Sequence, residues 1–328
     1  MDTRTTKTAI AALMLALPLA APAAAQDAYP ERDITHIMPW GAGGGTDTVM
    51  RTFMNFAEEQ LGVGINTQNV SGAQSGIGTL QLMNARPDGY TIGSLTWDSV
   101  ITVPYYELVP GYDTDQLTYL GSVTVHPTVL AVAADSPYET LEDFIAAAEE
   151  NPGELSISNV GSGGVWHLPA LDMAEATGIE VNHVPYPDGS GSQREGLLTG
   201  ETDAASLSAS AIYNAVQEDQ ARVLAVMSDE RSDFFPETPT FAELGYDVTW
   251  GSFRLIAAPS GISDEQRQTL TDAFAAVFEM PEFQERAEET AMGAVWMNGE
   301  DTTEYVESQQ ESAFALIDQL VEQGILDK

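Results

Sequence analysis

Short apolar runs alternate with longer amphipathic stretches along most of the chain. The first run, Ile34-Thr35-His36-Ile37-Met38, predicts a strand. After it, Val49, Phe53, Phe56 and Leu61 share one helical face, and Gly62 stands where a C-cap belongs. Residues 64–69 predict a second strand, followed by a helix to about residue 85 and a third strand over residues 91–95. Residues 129–133 form a continuous apolar run, the pattern of a buried strand, and Thr140 then caps a helix through residue 150. Further strands are predicted at 155–159, 181–184, 203–207, 222–227 and 253–258, with helices between most of them. Ser263-Asp264-Glu265-Gln266 is a capping box, and two more helices follow at about 281–291 and 301–323. Strands separated by helices predict α/β architecture built from doubly wound parallel sheets. In such sheets ligands sit outside the carboxyl ends of the strands.

The loops at those ends share a composition. Pro39-Trp40-Gly41-Ala42-Gly43-Gly44-Gly45-Thr46-Asp47 joins the first strand to its helix. The first N–H groups of a helix lack internal partners, and the macrodipole adds partial positive charge there, so the stretch is a candidate anion cradle. A tight turn with no ligand is the competing reading. A dinucleotide fingerprint fails because Thr46 replaces the third glycine, and a P-loop fails because the stretch has no Lys. Val70-Ser71-Gly72-Ala73-Gln74-Ser75 and Val160-Gly161-Ser162-Gly163-Gly164 repeat the arrangement, and Thr96-Trp97-Asp98 and Ser206-Leu207-Ser208 also end strands.

Charge narrows the partners. The 328 residues carry 50 acidic and 12 basic side chains, a net charge of −38, which excludes nucleic acid and anionic membranes as partners. Such a surface suits a salty exterior, where the short Debye length relieves self-repulsion. Arg4 and Lys7, the apolar residues 9–21 and Ala23-Ala24-Ala25 make a signal peptide over residues 1–25, cleaved after Ala25, so the chain is expected in the periplasm. No later stretch predicts a transmembrane helix. Without Cys there is neither a disulfide framework nor a cysteine nucleophile or lipid anchor.

Catalytic patterns are missing. There is no G-x-S-x-G, and the four histidines (His36, His126, His167 and His183) have no metal-ligand spacing, so no cofactor or metal is expected. His36, His126 and His183 read as structural; His167, in the first turn behind a glycine loop, reads equally as a ligand contact. Trp40, Trp97 and Trp166 lie in or beside the loops, either as core residues or as an apolar wall around a carboxylate. Arg194 and Arg254 are the cations best placed to help, or else partners of the many acids.

Five motifs in order carry a family resemblance. They are Pro39-Trp40-x-x-Gly43-Gly44-x-Thr46-Asp47 with Arg51, Asn69-x-x-Gly72-Ala73, Pro87-Asp88-Gly89-Tyr90-Thr91, His183-Val184-Pro185-Tyr186, and Thr238-Pro239-Thr240-x-x-Glu243-Leu244-Gly245. With them the chain resembles the Bug (TctC-type) extracytoplasmic solute receptors of tripartite tricarboxylate transporters, over about residues 29–293. The resemblance implies a type II periplasmic-binding-protein-like fold: two doubly wound α/β domains joined by a hinge, closing like a flytrap. Domain one would take residues 27–124 and 252–328, and domain two residues 125–251. A small organic carboxylate as ligand, a membrane permease of the transporter as partner, a monomeric state and no enzymatic activity are implied with it. The ligand contacts, combining resemblance and loop reading, are Trp40, Gly41, Ala42, Gly43, Gly44, Gly45, Thr46, Asp47, Asn69, Ser71, Gly72, Ala73, Thr96, Trp97, Asp98, Gly161, Ser162, Gly163, Gly164, His167, Tyr186, Asp188 and Ser208. Two departures stand out. Trp40 replaces a common Phe, and Pro187-Asp188 replaces a basic residue and glycine, which turns the expectation from citrate toward an aromatic or monocarboxylate ligand. The alternatives are a receptor of the same fold that signals to a sensor kinase, and an exported serine hydrolase using Ser162.

Overall fold

The computed structural model describes residues 29–186 and 189–326. The signal segment and Asp188 lie outside the described residues. The elements in chain order are β1 (Ile34–Met38), α1 (Gly45–Leu61), β2 (Ile65–Asn69), α2 (Gly76–Met83), β3 (Thr91–Thr96), α3 (Trp97–Val100), α4 (Thr102–Tyr105), β4 (Leu117–Ala133), α5 (Leu141–Glu150), β5 (Ser156–Asn159), α6 (His167–Thr177), β6 (Asn182–Pro185), α7 (Ser190–Leu198), β7 (Ala204–Ser208), α8 (Ala209–Gln217), β8 (Ala221–Met227), β9 (Gly251–Pro259), α9 (Asp264–Phe278), α10 (Pro281–Glu289) and α11 (Gly299–Glu322).

The strands form a mixed sheet in the order β2-β1-β3-β9-β4-β7-β5-β6, with β8 also paired to β4. β1 runs parallel to β2 and β3, and β5 runs parallel to β6 and β7. β4 and β9 break the parallel rule. β9 is antiparallel to both β3 and β4. The 17-residue β4 pairs β9 from Leu117 to Pro127, then β7 and β8 from Thr128 to Ala133. It thereby belongs to both halves of the sheet. Only its second half was expected from the sequence. The first half, with Gly121, polar residues at alternate sites and Pro127, lacks a continuous apolar run, and register shifts interrupt its ladder.

Local chemistry explains the element ends that position the site. α1 stops where Gly62, at φ 70°, adopts the left-handed conformation and its N–H bonds Glu58 O. Its deepest face is Met50, Phe53, Met54, Ala57 and Leu61, with Val49 and Phe56 only half-buried. Phe53 meets Phe274 of α9 and Phe283 of α10 at ring separations of 5.8 and 5.7 Å. Truncating so buried an aromatic costs about 3–5 kcal/mol, so α1 is firmly seated and the loop before it has a fixed base. Thr140 caps α5 as expected, in a box with Asp143, and the predicted capping box of Ser263 with Gln266 opens α9.

A second apolar cluster crosses between the halves. Val165, Trp166, Leu168 and Leu171, around the start of α6, share it with Trp97, Val100 and Ile101 and with Ile317 and Leu320 of α11. Among the described residues no helix is long and apolar enough to cross a membrane.

Candidate functional site

The loop from β1 to α1 is tied down from inside. Buried Asp47 accepts the Gly43 N–H at 2.9 Å, Asn69 Nδ2 at 2.8 Å and Arg51 Nη2 at 2.6 Å. Asn69 Nδ2 also donates to Trp40 O at 2.9 Å. Burial alone would raise the Asp47 pKa, but the bonds from Arg51, Gly43 and Asn69 outweigh it and hold the carboxyl below its ordinary value. Asp47 and Asn69, expected to touch ligand, therefore spend their polar atoms on the loop's own shape.

What this clamp leaves open is specific. Gly44 N–H makes only a long 3.5 Å bond to Gly41 O, and among the described residues the N–H groups of Gly45 and Thr46 have no partner. Gly41, Ala42, Gly43, Gly44 and Gly45 are exposed, and Thr46 is half-buried. Arg254, on β9, lies against this turn. Its Nε donates to Thr46 Oγ1 at 3.3 Å and its Nη1 to Thr124 Oγ1 at 3.2 Å, while Nη2 would stand 4.0 Å from a Cβ on Gly45. Arg254 is 8% exposed, and burial pushes its pKa down to about 10. The acids that pair with other arginines leave it alone: among the described residues the ion pairs use Arg32, Arg51, Arg86, Arg231, Arg267 and Arg286. A buried guanidinium with no carboxylate partner among the described residues stands next to the turn with unpaired helix N–H groups. Trp40 covers the same end, its Nε1 donating to Thr96 Oγ1 at 3.2 Å.

The second loop is strained. Ala73, Gln74 and Ser75 all have positive φ (47°, 50° and 78°), a left-handed turn closed by Gly76 N–H to Ala73 O and by a 2.8 Å bond between Ser75 Oγ and Ser99 Oγ. Each such residue costs about 1–3 kcal/mol. Ser71 and Ala73 are exposed and Gly72 half-buried. The turn carries Gln74 toward Gly161, where its Nε2 would be 3.8 Å from a Cβ, and leaves Gln74 Oε1 buried without a partner.

The loop over residues 161–164 corrects an expectation. It was read as a second open cradle, but its donors are occupied. Gly161 N–H bonds Asn159 Oδ1 at 2.9 Å, Gly163 N–H bonds His167 Nδ1 at 2.9 Å, Gly164 N–H bonds Gly161 O at 3.2 Å, and Val165 N–H bonds Asp98. Only Ser162, exposed at the tip, keeps a free N–H. His167 is thus a cap for its own loop; its ring packs against His183 at 4.8 Å, and burial, with His183, lowers its pKa to about 4. His167 Nδ1 accepts the Gly163 N–H and is therefore not free to act as a base toward Ser162.

The remaining candidates hold the scaffold. Thr96 caps α3 in a box with Ser99. Trp97 is 1% exposed, with its ring 6.3 Å from that of Trp250 in the cluster between the halves; Trp166 is buried there too. Both are packing residues, and Trp40 alone stays beside the open turn. Asp98 accepts Thr102 Oγ1 at 2.8 Å in addition to Val165 N–H, and burial pushes its pKa up to about 6. Tyr186 donates to Glu201 Oε2 at 3.0 Å. Ser208 caps α8 through Ala211 N–H, and Arg194 Nη1 donates to Ala211 O. Sequence reasoning missed Gln74 and Tyr106, because neither carries a pattern that marks a residue meeting the other half of the sheet.

The family profile described as "Tripartite tricarboxylate transporter family receptor", TctC, matches residues 49–321. The chain belongs to this family. A Cupriavidus necator protein named "UPF0065 protein in gbd 5'region" is 32% identical over 314 residues, 95% of either chain. A TctC solute-binding protein from Polaromonas, solved without ligand, is 29% identical with a TM-score of 0.73, covering 89% of this chain and all of that one. An R. palustris protein solved with adipate is 25% identical with a TM-score of 0.81, covering 88% of this chain and 97% of the other. The mixed α/β fold of this TctC-family receptor is the fold of these structures, and the family is one of solute receptors.

Proposed function

We propose that this receptor captures a small organic carboxylate in the periplasm and delivers it to the membrane permease of a tripartite tricarboxylate transporter. One observation carries the reading. Arg254 is buried, has no acidic partner among the described residues, and lies against the turn that carries the unpaired N–H groups of Gly45 and Thr46. Backbone donors at a helix start and a guanidinium are both suited to a carboxylate, and each charge-assisted bond is strong once water is excluded. The relative solved with adipate supports a carboxylate as the class. With Arg51 taken up by Asp47, one unpaired cation at this end fits a single carboxylate group, and Trp40 offers an aromatic face beside it, which favours a monocarboxylate or aromatic acid.

The proposed lobes divide within β4, which pairs with both halves of the sheet, and at the start of β9: residues 27–124 and 252–328 on one side, 125–251 on the other. Binding would draw the lobes together by stabilising the closed arrangement, and the permease would recognise that form. A thermal-shift screen of mono-, di- and aromatic carboxylates, followed by calorimetry, tests the proposal. Specific binding lost in Arg254→Met supports it. Binding unchanged in that variant refutes it.

A further inference from the structure

An arginine has five N–H donors. Arg254 gives one from Nε to Thr46 Oγ1 and one from Nη1 to Thr124 Oγ1; the others have no protein acceptor among the described residues. Nη2 lies on the Gly45 side, beside the unpaired N–H groups of Gly45 and Thr46. The shortage of acceptors continues toward the hinge. His126 and Ser252 stand directly opposite each other in β4 and β9, on the face that also holds Thr124 and Arg254. Both are buried, and neither ring nitrogen of His126 nor the Ser252 hydroxyl has a partner. Burial lowers the pKa of Arg254, and burial together with the Arg254 charge lowers that of His126; no carboxylate acts on either. In a chain of 50 acidic side chains, this block is positive, rich in donors and free of acids.

We propose that the turn at Gly45 and Thr46 with Arg254 is an anion-exchange site: chloride occupies it in the ligand-free receptor, and the organic carboxylate binds by displacing chloride. This rests on the carboxylate-receptor reading and adds a resident inorganic ion to it. Water can satisfy the donors but leaves the buried charge unbalanced; a monovalent anion does both. At low ionic strength the net charge of −38 repels chloride, whereas at high salt that repulsion is screened and the helix start and guanidinium act on the ion at contact. Exchange also separates binding from closure. A sphere seated at this turn has nothing to offer the opposite lobe. A carboxylate brings a second oxygen and an organic body that reach across to the loop over residues 161–164, where the Ser162 N–H is unpaired at an exposed tip. The organic ligand therefore gains contacts on closure and chloride does not, so the carboxylate shifts the population while chloride sets the concentration at which it does so.

The test combines three measurements on the full receptor. The NMR line of chloride in solution broadens when the ion exchanges with a protein site. The ligand-free receptor should broaden it, Arg254→Met should remove most of the excess width, and Arg286→Met, which loses an exposed ion-paired arginine, should leave it. Crystals soaked in sodium bromide should show an anomalous peak beside Arg254 Nη2 and the N–H groups of Gly45 and Thr46, a readout that needs no variant. Calorimetry with the best carboxylate of the screen is then run at constant ionic strength, with chloride replacing strongly hydrated fluoride. For a site half-filled on the order of 50 mM, the apparent Kd should rise about tenfold at about 0.5 M chloride. Equal line widths for the receptor and Arg254→Met, no bromide peak at the turn, or a Kd indifferent to chloride would each overturn the exchange. The two readings fail separately. Carboxylate binding that is lost in Arg254→Met, with no chloride signal, ends the exchange alone. A chloride site that no carboxylate displaces ends the carboxylate reading and leaves the anion site standing.

Discussion

Tyr106 lies in the place of the side chain that Gly163 lacks, across the boundary between the two halves of the sheet. The contact is good for the ring and poor for the hydroxyl, which is buried without a hydrogen-bond partner. An unsatisfied buried hydroxyl costs about 1–3 kcal/mol, and removing it leaves the packing intact. Tyr106→Phe should therefore raise stability by about 1 kcal/mol in urea titration, with the ring still seated on Gly163. A loss of more than 1 kcal/mol would mean that the hydroxyl is engaged after all.

Arg254 should behave in the opposite way to an ordinary ion-paired arginine. Burial pushes its pKa down from the ordinary arginine range to about 10, so at neutral pH the charged form is held against a desolvation penalty on the order of 3 kcal/mol. Arg254→Met loses only two bonds to threonine hydroxyls. The ligand-free variant should be as stable as the parent or more so, by up to about 2 kcal/mol, while carboxylate affinity falls at least a hundredfold. A variant that is destabilised and still binds would assign Arg254 to structure.

Acid should weaken the fold before the carboxylates titrate. Burial lowers the pKa of His36 to about 3 and of His167 to about 4, and drives that of His126 well below its ordinary value. Each is neutral in the folded protein, whereas in the unfolded chain it takes a proton near pH 6.5. The unfolded state therefore binds more protons below that pH, and stability is lost as pH falls through 6.5 toward 4. Three such groups give a slope of up to about 4 kcal/mol per pH unit. Asp98 opposes the trend, since its raised pKa means that the folded state takes up its proton near pH 6. Urea titrations between pH 7.5 and 5 should show a net fall, with His36→Asn reducing the slope by about one proton. A flat profile would contradict it.

Salt should act in the other direction. A net charge of −38 repels itself across the whole surface, and screening shortens that repulsion to about 3 Å at 1 M. The midpoint of thermal unfolding should climb steadily between 0.05 and 1 M NaCl. No rise would count against a surface adapted to a salty exterior.

Elements with clean periodicity and marked ends were legible in the sequence. α1 from its apolar face and Gly62, α5 from its Thr140 cap, α9 from its capping box, and the strands β1, β3 and β8 lie within a residue or two of expectation. The first half of β4 was not, because a strand held between β9 and the chain near residues 293–298 needs no apolar run of its own. The three glycine loops looked alike for a related reason. Glycine records that something approaches the backbone and is silent about what. At residues 44–46 the approaching side is open and faces a bare guanidinium; at 161–164 it holds Gln74, Tyr106 and Asp98. That difference depends on contacts from more than fifty residues away, which no local pattern encodes.

The chain passes between the halves of the sheet twice, within β4 and on entering β9, and the two segments are neighbours at the crossing, with His126 opposite Ser252 and Pro127 opposite Gly251. A swing of one half against the other must therefore twist a two-stranded ribbon in place, where two separate loops would have swung freely. Torsion of that kind has a natural rest angle and a restoring force, so the receptor would behave as a sprung jaw whose gape is set by the ladder at its root.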